Sequence, residues 1–361
     1  MKKLLLINWR DINNPEAGGA EIYYHEIFKR IAVKGVSVTV LSHHFGNAPR
    51  EEMIDGITVL RKGGKFLFNY QIIPWLMKNH RNYDLVIEDL NKIPFFTPLY
   101  VKHPRLHLAM HFFDTEIFRE ALFPLALYVY LMEKLAAKVY HKERFIAISE
   151  STAADIEKFP IPRSRIEIVE PGIDTVYYTP VLQKKNPPTI AYIGRLMKYK
   201  NVQFLIRALP RLREQVPDLT LEVGGSGDYL PELQRIAKEC GVSDAVLFAG
   251  QISNDEKREL LSRATLFTNP SAKEGWGINN IEANLCGTIS LSSNVAGLRD
   301  SVRDGVTGLL YRPDDLDDFC EKAIRLLTDH DLRRTMEKTA REKALLYDWD
   351  TMADRMMTFL G

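Results

Sequence analysis

Short apolar runs of strand character alternate with stretches of helical periodicity along nearly the whole chain, and the alternation starts twice. Such alternation builds βαβ units and a mostly parallel sheet, so the predicted class is α/β. The first series has strand candidates at 2–8, 36–42, 57–61, 84–87, 106–110 and 145–148. A helix at 20–32 sets Tyr24, Ile27, Phe28 and Ile31 on one face. The second series places strands at 189–193, 219–223, 246–248, 266–268 and 289–291. Between them lie Glu170-Pro171-Gly172 and Lys184-Lys185-Asn186-Pro187-Pro188, a proline-marked, charged stretch that reads as a linker. A chain of 361 residues holds two such domains at roughly 100 to 200 residues each. The predicted division is 1–170 and 171–349, with a last helix at 350–361 free to pack on either domain. Two doubly wound domains facing each other would bring the carboxyl ends of both sheets around one crevice, where such sheets bind ligands.

Charge narrows the function. Lys and Arg number 48 against 47 Asp and Glu, a net +1, which supplies no global field for a nucleic-acid partner. The three cysteines, Cys240, Cys286 and Cys320, form no C-x-x-C pair, which fits a reducing, cytoplasmic setting and not a zinc cluster. The apolar start at 4–7 is too brief for a signal peptide core. The longest uncharged apolar stretch, 121–132, is too short to span a bilayer and contains Pro124.

Three segments carry chemistry. Gly18-Gly19-Ala20-Glu21 opens the first helix, where glycine lets backbone N–H groups approach an anion; a plain turn is the alternative. It is not a dinucleotide fingerprint, since no G-x-G-x-x-G is present. Gly194 to Asn201 follows the first strand of the second series and places Arg195 and Lys200 where two cations could clamp a diphosphate; a solvated basic loop is the alternative. Glu274 to Glu282 follows the strand at 266–268. A helix from Gly277 would put Ile278, Ile281 and Leu285 inward with Glu282 on the same face. A carboxylate there needs partners, which ribose hydroxyls would supply, while Glu274 could receive sugar hydroxyls; a structural carboxylate bonded to backbone or arginine is the alternative. Eight helical positions rise about 12 Å, more than a glycosidase pair uses, so a hydrolytic role is disfavoured.

Other features are weaker. His111 follows the strand at 106–110, a position more often structural than catalytic. The D-x-D spacings near Asp315 and Asp348 precede helical patterns and read as capping rather than as metal ligands. Residues 62–81 hold Lys62, Lys65, Lys78 and Arg81 with no acidic residue, interleaved with Phe66, Phe68, Tyr70 and Trp75. That composition suits an anionic membrane surface or, equally, an ordinary helix with solvated lysines. The stretch 121–140 reads as a core helix.

In combination, GGAE, a histidine after a mid-domain strand, AISESTAADI, GRLMKYKN, VGGSGD and EGWGINNIEANLCGTISLSSNVAGLRDSVRDGVTGLLY resemble the family 4 glycosyltransferases over nearly the whole chain. The most specific element is the E-x7-E of Glu274 and Glu282, followed by Gly297 and Asp304-Gly305-x-x-Gly308. The resemblance implies the GT-B architecture, two Rossmann-like doubly wound domains facing a central cleft. It assigns the acceptor to the N-terminal domain and a nucleotide-sugar donor, a UDP- or GDP-sugar, to the C-terminal one. It further implies that the last helix packs back on the first domain and that transfer retains anomeric configuration. Carried onto this sequence, Arg195 and Lys200 hold the diphosphate, Glu282 the ribose and Glu274 the donor sugar. Backbone near Gly277, Ile278 and Asn279 helps bind sugar and phosphate, Gly18 and Gly19 approach the diphosphate, and His111 contacts the donor sugar. Three positions depart from the family pattern: Asn279 and Asp228 stand where proline is common, and Glu170-Pro171-Gly172 replaces Pro-Asn-Gly.

The expected function is hexosyl transfer to a glycan or lipid-linked acceptor of the cell envelope. No metal and no resident cofactor are expected, and the location is cytoplasmic or peripheral on the inner membrane face through 62–81. A sugar-nucleotide epimerase and a non-catalytic sugar-nucleotide binder are the rival readings.

Overall fold

The structure is a computed structural model in which residues 1–90, 93–110, 123–184 and 187–360 are described. Two compact units emerge, one of 1–172 with 349–361 and one of 173–348.

The first unit begins with β1 (Lys3–Ile7), α1 (Gly19–Val33), β2 (Ser37–His43), β3 (Glu51–Ile54) and β4 (Ile57–Lys62). It continues with α2 (Phe68–Gln71), α3 (Ile73–Asn79), β5 (Leu85–Leu90), β6 (Arg105–Ala109), α4 (Phe123–Val139), β7 (Phe145–Ala147), α5 (Glu150–Glu157) and β8 (Ile166–Ile168). The sheet order is β3-β4-β2-β1-β5-β6-β7-β8, parallel throughout except for the β3–β4 hairpin. Leu4 to Ile7 are all buried, as expected of a central parallel strand covered on both faces, which is why that run does not alternate.

The second unit comprises β9 (Thr189–Ile193), α6 (Val202–Gln215), β10 (Thr220–Gly224), α7 (Leu230–Glu239), β11 (Val246–Gly250), α8 (Asn254–Arg263) and β12 (Leu266–Asn269). Then follow α9 (Ile278–Leu285), β13 (Ser290–Ser293), α10 (Leu298–Ser301), β14 (Gly308–Tyr311), α11 (Leu316–Thr328) and α12 (His330–Ala344). Its sheet is fully parallel in the order β11-β10-β9-β12-β13-β14. Val202, Leu205, Ile206 and Leu209, spaced helically on α6, enter one core with Ile190, Leu221 and Leu291 from the strands.

The chain then returns to the first unit as α13 (Trp349–Leu360), which lies along α1. Arg30 pairs with Asp350 at 2.8 Å, the Tyr23 and Trp349 rings stand 6.4 Å apart, and Arg355 reaches Glu170 at 2.6 Å. Glycine is required at 172: a Cβ there would lie 2.5 Å from the Trp349 ring and 2.8 Å from its Cα. The Glu-Pro-Gly sequence keeps this residue.

Several expectations change. β3, β8 and β14 were not foreseen; each is an outer strand of three or four residues. Within 121–140, the described helix is a surface helix and not a core one. The described part, α4, buries only Ala126, Val129, Glu133 and Ala136, because small side chains seat it closely and leave its large ones outside. Within 62–81, Phe68 is fully buried against Trp9 and Phe95 and belongs to the core, whereas Phe66 and Tyr70 face outward. The D-x-D near Asp315 does cap a helix: its Oδ1 accepts the Asp318 N–H at 2.9 Å. No helix among the described residues is long and apolar enough to cross a membrane.

Candidate functional site

In the second sheet the strand order reverses between β9 and β12, and the crevice outside the carboxyl ends of those two strands is where an open parallel sheet binds ligand. The β9–α6 and β12–α9 connections meet there, joined by the Ala272 N–H donating to Tyr199 O at 3.0 Å. Glycines fix both. Gly225 has φ +136, and a Cβ on it would fall 2.0 Å from Gly194 O; Gly297 has φ +81, and a Cβ there would fall 2.1 Å from Glu274 O. Close backbone approach thus sets the height of the two loops that carry the charged residues.

Lys200 Nζ lies 2.5 Å from Glu274 Oε1, both side chains mostly buried, and 5.2 Å from the Tyr199 ring centre. Burial, reinforced by the charge of Glu274, pushes the Tyr192 phenol well above its ordinary pKa. It remains a donor, reaching Arg195 O at 3.3 Å. The Arg195 side chain is exposed and forms no ion pair among the described residues.

Eight residues after Glu274, Glu282 sits on α9 with its side chain 7% exposed. Its Oε2 is 2.5 Å from Lys257 Nζ, yet no donor in the described chain points at it in hydrogen-bond geometry. Tyr178 lies beside this carboxylate, and burial together with the charge of Glu282 raises the phenol's pKa. Lys257 Nζ additionally donates to Asn279 Oδ1 at 2.8 Å, while Asn279 Nδ2 donates to Ile193 O at 2.8 Å. Asparagine at the position where the resemblance leads one to expect proline therefore ties the first turn of α9 to the end of β9.

α9 starts at Gly277, whose φ of +70 and contact with Leu298 and Ser301 leave no room for a side chain. No side chain caps it and its first turn has no acidic residue, so the opening amides and the positive end of the helix dipole are available to an anion. Ile278 does not face inward as expected. It is 38% exposed, because it opens the helix beyond the strand ends, while Ile281, Glu282 and Leu285 are buried.

In the first unit, Gly18 and Gly19 stand at the start of α1, where the Gly18 N–H donates to Glu21 Oε2 at 2.7 Å. That amide is engaged by the chain's own carboxylate, whereas the Cβ direction of Gly19 opens on free space. His111 lies outside the described residues. Sequence reasoning missed Lys257 and Tyr178. Neither belongs to a motif, and both reach Glu282 only through the fold.

Two family models match: one described as glycosyl transferases group 1 over residues 179–343, the other as glycosyltransferase family 4 over residues 17–177. A D-inositol 3-phosphate glycosyltransferase of Salinispora arenicola is 30% identical over 62% of this chain and 55% of its own length. A GDP-mannose-dependent alpha-(1-6)-phosphatidylinositol monomannoside mannosyltransferase of Mycobacterium tuberculosis is 30% identical over 55% of this chain and 56% of its own. The aligned part is thus about half the length of these curated relatives. Among solved structures, the sucrose-phosphate synthase of Thermosynechococcus elongatus superposes over 100% of this chain and 98% of its own, with TM-score 0.78 and 21% identity. HepE of Anabaena, solved with UDP and glucose, covers 100% and 99% with TM-score 0.74 and 18% identity. The fold is of the GT-B kind, and the chain belongs to the family 4 glycosyltransferases.

Proposed function

We propose that the protein is a retaining hexosyltransferase that moves a sugar from a UDP- or GDP-sugar to a glycan or lipid-linked acceptor. The observation that carries this reading is the β9–β12 crevice. There an exposed Arg195, the Lys200–Glu274 pair, the uncapped start of α9 and the Lys257–Glu282 pair gather around one strand-order reversal. In this assignment Arg195 and Lys200 hold the diphosphate. An ammonium has three donors, so Lys200 serves a phosphate oxygen and keeps Glu274 in place to receive sugar hydroxyls. The α9 amides near Gly277, Ile278 and Asn279 supply further anion contacts, and Glu282 takes the ribose hydroxyls, with the base lying along backbone at 250–252. Gly19 is assigned to the diphosphate and His111 to the donor sugar, while Gly18, whose amide Glu21 occupies, shapes the turn.

The chemistry is front-face transfer. The bond from the anomeric carbon to the phosphate oxygen breaks, the bond to the acceptor oxygen forms on the same face, and the acceptor proton passes to the departing phosphate. The two cations, rather than a metal ion, balance the charge that develops there. The named relatives act with GDP-mannose, on an inositol phosphate or on a phosphatidylinositol mannoside, and HepE was solved with UDP and glucose. These favour a nucleoside diphosphate donor, and the mannoside lipid favours an acceptor met at a membrane. We therefore place the protein in the cytoplasm, peripheral to the inner membrane face, with the basic segment 62–81 toward the lipid.

Calorimetry with UDP, GDP and ADP and their sugars, repeated on Glu282→Ala and Arg195→Ala, tests the donor site. One nucleotide bound tightly and weakened in both variants is expected; no binding by any of them overturns the assignment. Donor turnover without acceptor would point to an epimerase instead.

A further inference from the structure

Arg61 stands where the alternation of β4 calls for an apolar side chain. Ile57, Val59 and Arg61 share the buried face of that strand, and the Arg61 side chain is 0% exposed. Four hydrogen bonds satisfy it. Nε and Nη2 donate to Asp11 Oδ2 and Oδ1 at 2.8 and 2.9 Å, while Nη1 donates to Pro49 O at 2.9 Å and to Glu52 Oε2 at 2.8 Å. The Phe45 ring centre lies 5.1 Å from the guanidinium carbon. Asp11, itself buried, also accepts from Ser42 Oγ at 2.8 Å, and Ser42 is the β2 neighbour of Arg61 in the sheet register. Burial opposes ionising Asp11, but the bonds from Arg61 and Ser42 outweigh it and hold its pKa below the ordinary carboxylate value. A buried ion pair is costly to break yet adds little net stability over apolar side chains of similar volume, so its presence points to geometry rather than to stability.

What the pair holds is the connection from β1 to α1. From Asp11 onward this connection is bonded to itself. The Asn13 N–H donates to Asp11 Oδ1 and the Asn14 N–H to Asp11 O, both at 3.1 Å. The Glu16 N–H donates to Asn14 Oδ1 at 2.9 Å, the Ala17 N–H to Asn14 O at 2.8 Å and the Gly18 N–H to Glu21 Oε2 at 2.7 Å. The series ends at Gly19, whose Cβ direction opens on free space. Other anchors are weaker. Arg10 and Lys65 pair with Glu16 at the surface, where an ion pair is worth little. Packing beneath Arg10 to Ile12 is incomplete, since a cavity of ≈ 20 Å³ lies there between the loop, α1 and the sheet, with Leu6, Val40 and Val59 in its wall.

We propose that Asp11 and Arg61 are positioning residues for sugar transfer: the buried pair fixes the β1–α1 connection and, through the bonds within it, the Gly19 amide. Both act through the loop, and neither is assigned a contact with donor or acceptor. The effect on turnover rests on the assignment of Gly19 to the diphosphate; the effect on the loop does not.

The test replaces the pair by apolar side chains, Asp11→Leu with Arg61→Met and Ser42→Ala, so that neither charge is left buried and unpaired. Arg61→Lys is the companion variant, which keeps the charge and loses the planar fork. Residue-resolved amide hydrogen exchange of the full chain reads the loop directly. A Tm close to that of the parent is expected, with exchange at Asn13, Asn14, Glu16 and Ala17 faster by about tenfold or more and unchanged rates in β1 and β5. With the UDP- or GDP-sugar that calorimetry selects, kcat should fall by about tenfold to a hundredfold, while the Kd of the nucleotide, assigned to the second unit, stays within about threefold. Loop amides as slow as in the parent would overturn the proposal. Uniformly faster exchange across the sheet with a lowered Tm would also overturn it, because the pair would then be an ordinary core contact. A loosened loop with parent-like kcat would overturn the positioning role and the assignment of Gly19 with it. No turnover by the parent with any nucleotide sugar would instead overturn the transferase reading, and the exchange rates would still decide whether the pair fixes the loop. If the apolar variant fails to fold, Arg61→Lys carries the same comparison.

Discussion

Replacing Glu282 by glutamine keeps the shape of the side chain and removes its charge, which separates the ribose contact from packing. In the native chain the carboxylate is 7% exposed, with Tyr178 beside it and its Oε2 2.5 Å from the Lys257 ammonium. Two ribose hydroxyls donating to a carboxylate gain about 1.5–3 kcal/mol each, against about 0.5–1.5 for a neutral acceptor. The variant should therefore lose about 2 kcal/mol of nucleotide affinity, about 30-fold in Kd. The same change leaves Lys257 with neutral acceptors only, Asn279 Oδ1 and the glutamine's own amide oxygen, in place of a carboxylate. Breaking a buried pair costs about 3–5 kcal/mol, but the lysine side chain is 15% exposed and water recovers part of this, so unfolding free energy should fall by about 1–2 kcal/mol. Calorimetry with UDP or GDP, whichever binds, and with its 2′,3′-dideoxy analogue reads the first effect; urea unfolding reads the second. The penalty must vanish on the dideoxy analogue. An equal loss on both nucleotides would show that Glu282 acts through the fold and not on the ribose.

Arg195→Ala should leave stability within about 0.5 kcal/mol, since the side chain is exposed and unpaired, while lowering donor turnover by at least about a hundredfold; parent-like turnover would remove it from the diphosphate. Gly225→Ala and Gly297→Ala each drive a Cβ to about 2 Å from a carbonyl oxygen at positive φ, so each should cost more than about 2 kcal/mol and lower the Tm, and an unchanged Tm would contradict the loop geometry. The first unit should show a stability plateau set by His107 and Glu143, which face each other at 3.2 Å, with Glu88 and Arg105 beside them. Burial opposes charging His107, but Glu143 and Glu88 outweigh it and raise its pKa; burial likewise opposes ionising Glu143, but His107 and Arg105 hold it down at about 2. The His107 contribution is full below its unfolded value near 6.5 and fades as pH rises through the raised one; that of Glu143 is full above about 4.5 and fades as pH falls toward about 2. Thermal melts from pH 2 to 9 should thus peak between about 4.5 and 6.5, and His107→Asn should abolish the alkaline decline.

Both sheets were legible because central parallel strands are buried on both faces and announce themselves as unbroken apolar runs, Leu4 to Ile7 and Thr189 to Ile193 among them. The edges were not. β3 turns Glu51 to solvent and spends Glu52 on the buried Arg61 at 2.8 Å, so its charged residues hide its strand character, although Asp55-Gly56, both at positive φ, is a hairpin signal that would have found it. α4 was misjudged for a different reason. Apolar periodicity identifies a helix, but it does not say which apolar face is covered, and here the small residues are inside and the large ones outside.

At the site, the readable residues are those whose roles are set by local geometry: a cation in a loop after a strand, a glycine at the start of a helix, two carboxylates eight apart. Their partners are set by topology and left no local trace. Lys257 and Tyr178 stand 25 and 104 positions from Glu282, and nothing in either segment distinguishes them from ordinary surface residues until the sheet order brings β9, α8 and α9 together. The pairings they make change what the motif means. Glu282 read alone is a carboxylate waiting for hydroxyls; with Lys257 Nζ 2.5 Å from its Oε2, it is a carboxylate whose charge is already balanced within the fold. Lys200 and Glu274 make the same point from the other side. Paired with each other across the two loops, they tie the β9–α6 and β12–α9 connections together, so a cation and a carboxylate that read separately in the sequence act in the fold as one clasp.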